Sequence, residues 1–549
     1  MNRFIFTLSF LVACGGGPKP QPVQPVGPTP DPVAPTEPVP APPPVEAPMT
    51  FPTQTATPQE LAFPEEDFRT KQPVGGAPRP FRLPKVKPFK LASGMTVYLV
   101  EQHALPLVSV DLNFDGGSMW DPKGKEGLAS VCMSMLTEGT QQLDKIQYSE
   151  KLADTASNIS AYAADDSLGL TLSSLTKHLP PTFDQFVETL QSPGFRASDF
   201  DRMIKRRIEN VRQSKGSPGS VAARVSGTVL YGSAHPFGTV VTEESLKAIT
   251  IDDCKQLVAT YLKPGSARLF VVGDLTEAQV RSYFEKTSPL AGWKGTAKVP
   301  TTLPKPATQK GRIFFVDVPG AAQSQVSLMH FGPGRGAADY FQNTMMAAVF
   351  GGGFSSRINM NLREDKGYSY GARGGFNYSK QYGTFSANAS VRTDSTYQTL
   401  LEIDREVKDL WSAKAPIKED ELTREKQGAI LGLPGQFATG QAALGQYRRL
   451  VYFGLPLDYF NSYVGKLGAV NAAQVTAAAK KQLKPGQAVW LVVGDGNAEM
   501  KVRVDGKDVS YLKDGKPMTL RAALSELATR GDVGTGGLVE LDTDGRPKR

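Results

Sequence analysis

Histidine, the side chain most often used for zinc binding and for proton transfer near neutral pH, is scarce in this chain. Its 549 residues contain four histidines, His103, His178, His235 and His330. None of them lies within one helical turn of another. Two histidines four residues apart would share a helix face and could bind one metal ion. No Cys-x-x-Cys motif takes their place. The sequence therefore predicts no metal site and no cofactor in this chain, and we interpret His235 as a structural histidine in a loop.

The three cysteines have different surroundings. Cys14 follows a short apolar run, Phe4–Ala13, which begins after Arg3 and is too short to span a bilayer. The ending Leu-Val-Ala-Cys resembles the lipobox of bacterial lipoproteins, which implies that the signal is removed and that Cys14 carries the lipid. A plain signal peptide or a chance cysteine is the alternative. Cys132 and Cys254 lie in apolar helical patterns, and we interpret them as small core residues rather than as a disulfide.

The charge pattern does not favour nucleic-acid binding. The formal charge of +8 is modest for 549 residues, and no basic stripe interleaved with aromatic residues accompanies it. The densest basic run extends from Lys205 to Lys215 in a helical pattern and includes Glu209. We interpret this run as a solvated helix face. The only membrane contact that we predict is through the lipid anchor.

The N-terminal region has the composition of a tether. From Pro18 to Pro48 nearly every second residue is proline, and residues 50–82 remain rich in proline. Such a segment cannot bury a hydrophobic core and favours an extended polyproline conformation. We therefore predict a signal peptide at 1–13 and a lipidated, proline-rich tether at 14–81.

The remaining sequence repeats itself. Three segments recur at one constant spacing: Lys263-Pro264-Gly265 with Lys484-Pro485-Gly486, Val271–Asp274 with Val492–Asp495, and Leu230-Tyr231 with Val451-Tyr452. A single spacing across separate segments indicates a tandem duplication. We predict homologous domains at 82–298 and 299–497, followed by an extension of unknown role at 498–549.

Each predicted domain begins with strands, continues with helices and closes on the Val-Val-Gly-Asp strand. Alternating apolar residues predict strands at 96–100, 107–112, 312–316 and 325–329, and longer periodic patterns predict helices at 198–215 and 419–431. In the extension we predict a hairpin at 502–511, turning on Asp505-Gly506, and a short helix at 520–529. This order of elements predicts an α+β fold, in which each domain is a largely antiparallel sheet with helices packed on one face.

Several segments resemble the pitrilysin/insulinase family of zinc peptidases. They are Gly116–Ser118, Gly127–Ala129, Met135-Leu136 and Gly139-Thr140 in the first domain, Tyr231–Gly238 near its end, and Gly351–Arg357 and Asn361–Tyr370 in the second domain. The resemblance covers residues 82 to 497, about three quarters of the chain. It implies that the two domains together form one half of a clam-shell that encloses unfolded peptides.

The resemblance fails at the zinc motif. Active members of the family carry His-x-x-Glu-His, in which two histidines on one helix face bind zinc and the glutamate acts as general base. The corresponding positions here are Ser130, Met133 and Ser134. Serine is a poor zinc ligand, and a thioether cannot accept a proton near neutral pH. Glu209, downstream of Ser134, is the nearest candidate for the family's third ligand, a glutamate, and we interpret it as a surface helix residue.

Arg363 and Tyr370 match an arginine and a tyrosine that active members present from the second domain. In the family these side chains hydrogen-bond the substrate carbonyl and the oxyanion that develops from it. We expect Gly367 to end the helix that carries Arg363. A structural alternative stays open, in which Arg363 pairs with nearby acids while Tyr368 and Tyr370 share one strand face in the core.

A lost zinc motif beside a retained Arg/Tyr pair resembles one subunit type of the family. Some bacterial members divide the active site between two polypeptides, one with His-x-x-Glu-His and a partner with the arginine and tyrosine. The resemblance implies that this chain is the non-catalytic subunit of a two-chain zinc endopeptidase and is inactive alone. Its paralogous partner would bind the zinc, an unfolded peptide would be the substrate, and Arg363 and Tyr370 would act in trans.

Two further hypotheses stay open. The chain could be a catalytically inert peptide-binding or assembly scaffold, as related core subunits of respiratory complexes are, or a zinc peptidase with non-standard ligands. In each case the lipobox predicts a periplasm-facing lipoprotein of the cell envelope. Gly15, which stands where some bacteria place an aspartate for inner-membrane retention, favours the outer membrane.

Overall fold

The structure, a computed structural model, describes residues 85–548 except 288, 301, 308, 310 and 532. These residues belong to one unit that begins at Pro80. The predicted signal peptide at 1–13, the lipidation site Cys14 and the tether at 14–81 lie outside the described residues. In the part of the chain that the structure describes, no helix combines the length and the apolar composition needed to cross a membrane.

The first lobe is built on a mixed sheet of six strands. They are β1 (Lys87–Lys90), β2 (Thr96–Glu101), β3 (Leu107–Asp115), β4 (Asn158–Ala163), β5 (Ser167–Leu175) and β6 (Arg268–Gly273). Their order in the sheet is β1-β2-β6-β3-β5-β4. β2 and β6 are parallel, and the other neighbouring pairs are antiparallel.

The helices of the first lobe pack on one face of this sheet, with one exception. They are α1 (Leu128–Met135), α2 (Lys145–Asp154), α3 (Leu179–Gln191), α4 (Ala197–Ser214), α5 (Pro218–Tyr231), α6 (Glu243–Lys247), α7 (Ile251–Tyr261) and α8 (Glu277–Arg281). Side chains of β2 point alternately to the two faces of the sheet. Val97 and Leu99 therefore lie in the core under these helices, and Val100 lies on the opposite face. The exception is α5, which contributes no residue to the core of its own lobe.

The second lobe has a sheet of the same design. Its strands and those of the C-terminal extension are β7 (Ile313–Asp317), β8 (Gln323–Gly332), β9 (Ser369–Tyr378), β10 (Gly383–Arg392), β11 (Val489–Gly494), β12 (Lys501–Val504), β13 (Lys507–Ser510), β14 (Leu512–Lys513), β15 (Lys516–Pro517) and β16 (Leu538–Leu541). The sheet order is β16-β7-β11-β8-β10-β9, and β12–β13 and β14–β15 form separate hairpins. β7 is parallel to both β11 and β16, and the remaining pairs are antiparallel.

The helices of the second lobe are α9 (Tyr340–Ala347), α10 (Arg357–Asn359), α11 (Thr396–Trp411), α12 (Glu419–Gly432), α13 (Gly440–Tyr452), α14 (Tyr463–Gly468), α15 (Ala472–Gln482) and α16 (Leu520–Arg530). α9 continues into a π-helical turn at Ala348–Gly352, and α10 continues into another at Met360–Asp365. The core under these helices contains residues of every one of them except α13.

The repeat in the sequence corresponds to a structural repeat. β6 and β11 begin at Arg268 and Val489, which are separated by the same spacing as the repeated segments, and each lies between a parallel and an antiparallel neighbour. The prediction of an α+β fold with two tandem, largely antiparallel sheets is therefore confirmed. The sheets differ at one edge, where β1 pairs antiparallel in the first lobe and β16 pairs parallel in the second.

The two lobes exchange one helix each. α5 of the first lobe packs on the sheet of the second, where Val221, Val225 and Val229 are buried against β7, β8 and β11. α13 of the second lobe packs in the same way on Val100, Phe270 and Val272 of the first sheet. Each sheet is thus covered on one face by its own helices and on the other by a helix from the opposite lobe. The sequence predicted only the first of these layers.

A buried polar cluster fixes α13 against the first sheet. Arg448 of α13 donates from Nη1 to Asp111 Oδ2 at 2.7 Å and to the Tyr162 hydroxyl at 3.1 Å. Tyr162 in turn donates to Asp111 Oδ1 at 3.0 Å. Burial raises the pKa of Asp111, and the charge of Arg448 opposes that rise. The cluster therefore orients one exchanged helix by charge as well as by packing.

The C-terminal extension belongs to the second lobe and also reaches the first. Its hairpin β12–β13 turns at Asp505 and Gly506, both with positive φ, and α16 follows, as predicted. β16 then completes the edge of the second sheet. Beyond it, Asp544 accepts hydrogen bonds from Arg224 of α5 at 2.6 Å and from Lys215 at 2.8 Å. The extension thus contacts the exchanged helix of the first lobe.

Candidate functional site

α1 carries Ser130, Met133 and Ser134, the three residues that correspond by sequence resemblance to the family's zinc motif. The helix begins after Gly127, whose φ of +102° is left-handed. Asp121 accepts hydrogen bonds from the backbone N–H groups of Gly127 at 2.8 Å and Ala129 at 2.9 Å, which satisfies free donors at the helix start. Burial raises the pKa of this carboxyl to about 6 despite those bonds. The two hydrogen bonds from Gly127 and Ala129 hold the N-terminus of α1 to Asp121.

Ser130 and Ser134, which were predicted to correspond to the family's two histidines, bind the same side chain. Arg207 of α4 donates from Nη1 to Ser130 Oγ at 3.1 Å, and from Nη2 to Ser130 O at 3.0 Å and to Ser134 Oγ at 2.6 Å. Ser134 also donates to Ser130 O at 2.8 Å. The two serines are one helical turn apart, so both hydroxyls face α4. The structure thus brings Ser130 and Ser134 together around a guanidinium.

Arg207 is a largely buried cation without a carboxylate partner. Among the described residues, no acidic side chain lies within ion-pair distance of it, and its Nε has no hydrogen-bond partner. Burial lowers the pKa of Arg207, and the positive charge of Arg206 lowers it further. The oxygen atoms of the two serines are therefore the groups that compensate this charge.

The residues of α1 do not fit a zinc ion. Met133, at the position of the general base, is fully buried in the core of the first lobe and can neither bind nor activate a water molecule. The two serine hydroxyls are engaged by a positively charged group, which opposes a second cation at the same place. In the described part of the chain, no group of three or more His, Cys, Asp or Glu side chains is arranged to hold a metal ion.

Glu209 lies on the surface of α4, as predicted. It pairs with Arg212, and both side chains are more than half exposed. The prediction for the basic run was wrong in part. Lys205 and Arg206 are exposed, but Arg207 is covered for most of its length and turns toward α1. A helical pattern gives no sign of this, because the position of α1 beside α4 is set by tertiary packing.

The prediction that Cys132 and Cys254 are unpaired core residues was also wrong. They form a disulfide that joins α1 to α7, with their Cα atoms 4.8 Å apart. Both cysteines are fully buried, so the apolar surroundings were correctly predicted. The two residues are 122 positions apart in sequence, and only the packing of the two helices brings them together. α1 is therefore tied on one side to α7 and on the other to α4.

Two of the four histidines, His235 and His330, are buried in structural contacts. His235 is buried between Tyr231 and Tyr382, accepts from the Phe237 N–H at 3.0 Å and lies 3.1 Å from the Pro304 carbonyl oxygen. Burial lowers the pKa of His235. His330 is buried beneath Phe385, whereas His103 is exposed beside Asp274. The prediction of a satisfied structural histidine at 235 is thus confirmed.

Arg363 lies on the π-helical turn that continues α10. Gly367, with a φ of +65°, ends this turn, and the N–H groups of Gly367 and Tyr368 bond back to the carbonyls of Arg363 and Leu362 at 3.1 and 2.8 Å. The predicted helix end at Gly367 is therefore confirmed. The turn leaves the Arg363 side chain at the surface, where it is 41% exposed.

The guanidinium of Arg363 is held on two sides and open on the third. Its carbon lies 4.9 Å from the centre of the Phe354 ring, and its Nε lies 3.1 Å from Glu364 Oε1. Within the described residues, neither Nη atom of Arg363 donates a hydrogen bond to the protein. These two nitrogens are available to an oxygen atom from outside the chain. The predicted pairing with a nearby acid occurs, but it occupies Nε alone.

A buried amide connects the elements around Arg363. Asn359 of α10 is fully buried, and its Nδ2 donates to the Phe354 carbonyl oxygen at 2.7 Å. Its Oδ1 accepts from the Ala372 N–H at 3.1 Å. The loop that carries Phe354 and the strand that carries Tyr370 are therefore fixed to the same helix.

Tyr370 points into solvent. Its side chain is 87% exposed, whereas Tyr368 is buried, so the two do not share a core face as the structural alternative required. A β-bulge is the reason, because Tyr370 and Gly371 of β9 lie opposite the single residue Ser390 of β10. The Ser369 hydroxyl donates to the Ser390 carbonyl at 2.7 Å and stabilises the bulge. In the described part of the chain, Arg363 and Tyr370 make no hydrogen bond to each other.

A cavity of about 570 Å³ lies elsewhere, at the junction of the lobes. Asp115 and Arg268 form a bidentate ion pair in its wall, with N–O distances of 2.8 and 3.2 Å, and Trp120 and Lys380 also line it. None of the residues that match the family's active site contributes to this wall. This cavity is therefore not the candidate site.

Two models of known protein families match this chain, and each match includes candidate residues described above. A family model described as "Insulinase (Peptidase family M16)" matches residues 96–227, which include α1 and Arg207. A second, described as "Peptidase M16 inactive domain", matches residues 248–429, which include Arg363 and Tyr370. The first match thus contains the candidate residues of the first lobe, and the second contains those of the second lobe.

Individual relatives extend over most of the chain. A non-peptidase homolog, YmxG, of Helicobacter pylori is 20% identical over 400 residues, which are 72% of this chain and 90% of that protein. An uncharacterized zinc protease, also YmxG, of Bacillus subtilis is 20% identical over 428 residues, 75% of this chain and 99% of that protein. The crystal structure of a peptidase M16 inactive domain from Pseudomonas fluorescens superposes with a TM-score of 0.68 at 25% identity, over 75% of this chain and 98% of that chain.

Proposed function

We propose that this chain, which is similar to insulinase-family M16 peptidases in both lobes, is the non-catalytic subunit of a two-chain zinc endopeptidase. Among its described residues no group of side chains is arranged to hold a zinc ion. In this proposal a paralogous partner with His-x-x-Glu-His supplies the zinc ion and the general base. This chain supplies half of the peptide chamber, together with Arg363 and Tyr370. An unfolded peptide is the substrate.

The observation that carries the proposal is the contrast between the two halves of the expected active site. At the zinc half, Arg207 engages both serine hydroxyls and Met133 is buried. At the other half, the Nη atoms of Arg363 and the Tyr370 ring are exposed and without partners in the described structure. Asn359 fixes the loop and the strand beside these two residues, and their exposure is expected if their partner oxygen comes from another molecule.

The chemistry assigned to Arg363 and Tyr370 is the stabilisation of negative charge. When hydroxide attacks a peptide carbonyl, its oxygen becomes an oxyanion, and hydrogen-bond donors aimed at that oxygen lower the barrier. A guanidinium with two free Nη atoms and a phenol are both suitable donors. One such donor is worth about 3–4 kcal/mol in well-studied hydrolases. These residues would act on the partner's reaction and would not start one themselves.

The proposed location is the cell envelope. In this proposal Cys14 carries the lipid, residues 14–81 form the tether, and the folded part faces the periplasm, with the outer membrane favoured. The disulfide between Cys132 and Cys254 supports an exported protein, because disulfides persist in oxidising compartments and are rare in the cytosol.

Reconstitution with a zinc-bearing partner tests this function. The chain is coexpressed with a His-x-x-Glu-His relative encoded in the same genome, and cleavage of an unfolded fluorogenic peptide is measured. We expect Arg363→Ala to lower kcat/KM by about 10²–10³-fold and Tyr370→Phe to lower it less. Arg405→Ala, at a half-exposed arginine of the same lobe that pairs with Glu402, is the matched control and is expected to act like wild type. If the reconstituted complex cleaves the peptide equally well with wild type and with Arg363→Ala, the proposed role of Arg363 is wrong.

An inert scaffold is the second candidate. It is favoured by the engagement of the former zinc positions in structural contacts, since a subunit that only assembles needs no open site. This candidate predicts stable association with a partner or peptide that is unchanged in Arg363→Ala and Tyr370→Phe. Copurification together with full activity of both variants would therefore favour the scaffold.

A further inference from the structure

We propose that Arg207 is a permanent cation that replaces the metal ion of the family. Its guanidinium joins α1 to α4 through the former ligand positions and excludes zinc from them. This proposal concerns the first lobe alone and does not depend on the partner subunit proposed above.

The hydrogen-bond donors of Arg207 match the acceptors that Ser130 and Ser134 provide. A zinc ion accepts electron pairs, so its ligands must be donors of electron pairs such as imidazole nitrogen. A guanidinium does the opposite and offers N–H groups, so it needs oxygen acceptors. Ser130 and Ser134 provide two hydroxyl oxygens and one carbonyl oxygen at 2.6–3.1 Å from the Nη atoms. The change from histidine to serine at both positions and the presence of Arg207 therefore complement each other.

The cost of burying Arg207 argues that the contact has a purpose. A charged group loses hydration on burial, and this loss is normally offset by an opposite charge. Arg207 has no carboxylate partner among the described residues, and Arg206 adds repulsion. An arginine with no specific contact could extend into solvent, as Arg206 does. The guanidinium instead remains at the place where the family holds another cation.

The other side of α1 is secured independently of any metal. Cys132 lies between Ser130 and Ser134 in sequence and faces away from Arg207, toward α7, where it forms the disulfide with Cys254. A zinc ion in the family connects the motif helix to a glutamate farther along the chain. Here a guanidinium makes that connection, and a disulfide braces the helix from behind. α1 has thus become a structural element.

Restoration of the zinc ligands tests the exclusion of metal. The triple variant Ser130→His, Met133→Glu, Ser134→His is compared with the quadruple variant that also carries Arg207→Glu, and bound zinc is measured by atomic emission after dialysis. We expect less than about 0.1 zinc ion per chain in the triple variant and about one in the quadruple variant. Stoichiometric zinc in the triple variant would overturn the proposal, and so would absence of zinc from a quadruple variant that melts as cooperatively as wild type.

Hydrogen exchange tests the structural connection without altering α1. In Arg207→Met we expect the amides of residues 128–136 to exchange at least about tenfold faster than in wild type, because the link between α1 and α4 is lost. Arg206→Met, at the neighbouring exposed arginine, is the control and should leave exchange unchanged. The result that contradicts the proposal is equal protection of α1 in both variants.

Discussion

The guanidinium carbon of Arg363 lies 4.9 Å from the centre of the Phe354 ring. Phe354 belongs to a glycine-rich loop, and the ring is 52% exposed, so it adds little to the core. The ring lies against the guanidinium, whose Nη atoms have no hydrogen-bond partner among the described residues. Together with Asn359, Phe354 therefore acts as a positioning residue for the proposed donor.

Replacement of Phe354 is expected to weaken the partner-dependent reaction without abolishing it. A cation–π contact at an exposed site contributes about 0.5–1 kcal/mol, which corresponds to a loss of about two- to fivefold in kcat/KM for Phe354→Leu. Phe354→Tyr retains the ring and should behave like wild type. The measurement is peptide cleavage by the reconstituted complex. If Phe354→Tyr loses as much kcat/KM as Phe354→Leu, the effect comes from a change in the loop and not from loss of the ring.

Loss of Arg448 is expected to destabilise the junction of the lobes. Arg448→Met leaves Asp111 buried without its cation, which should cost about 2–4 kcal/mol in the free energy of unfolding, since the arginine itself is partly exposed. Replacement of both residues, Arg448→Met with Asp111→Leu, should recover most of the loss. Urea unfolding followed by circular dichroism provides the measurement.

Arg212→Met is the control for this experiment. Arg212 and Glu209 are both more than half exposed, and a surface pair of this kind contributes at most about 1 kcal/mol. If Arg448→Met is no more destabilising than Arg212→Met, the buried cluster does not hold the lobes.

His330 is expected to make the second lobe acid-sensitive. Burial lowers the pKa of His330 to about 4, whereas an unfolded histidine titrates near its ordinary value of 6.5. Between these values the unfolded chain takes up a proton that the folded chain does not, so stability falls as the pH falls from 6.5 to 4. The loss at the acid end is on the order of 3 kcal/mol.

The contribution of His330 is isolated by comparing how steeply Tm falls with pH in wild type and in His330→Gln. His330→Gln should flatten the decline of Tm between pH 6.5 and 4, although the variant is less stable at every pH because it loses the stacking on Phe385. Asp121, with its pKa raised to about 6, has the opposite sign and is common to both proteins, so it cancels in the difference. His178→Gln is the control, and an equal flattening in that variant would exclude His330 as the origin.

Reduction of the disulfide is expected to destabilise the first lobe. Closure of a loop of 122 residues lowers the entropy of the unfolded chain by an amount equivalent to about 4–5 kcal/mol. Cys132→Ala with Cys254→Ala should therefore melt several degrees below wild type, and reductant should shift wild type but not the double variant. Mass spectrometry after alkylation under denaturing conditions checks the bond directly, because modification of either cysteine before reduction would show that it is absent.

Patterns within one segment were predictable, and contacts between segments were not. The constant spacing of the repeated segments revealed the duplication, and the alternation in β2 and β7 located the strands, because both signals are local or periodic. α5 and α13 were not among the helices predicted from the sequence, and no local pattern could show that each one packs on the sheet of the opposite lobe. The same limit explains why the disulfide was missed.

At the candidate site, the missing groups were easier to predict than their replacement. Serine and methionine at 130, 133 and 134 excluded zinc by residue type alone. Arg207 is far from Ser130 in sequence and lies in a basic run, so nothing in its local pattern pointed to burial. The outward direction of Tyr370 depends on one extra residue in β9, which strand alternation does not reveal.

The exchange of α5 and α13 constrains how this protein can evolve. If either lobe were deleted, the surviving sheet would lose its outer layer and the surviving lobe would extend an apolar helix with nothing to cover. The two copies are therefore free to diverge in side-chain chemistry, but they cannot be inherited, shuffled or lost one at a time. A change of residues at a site in one lobe would therefore leave that lobe in place, because its helix still covers the sheet of the other lobe.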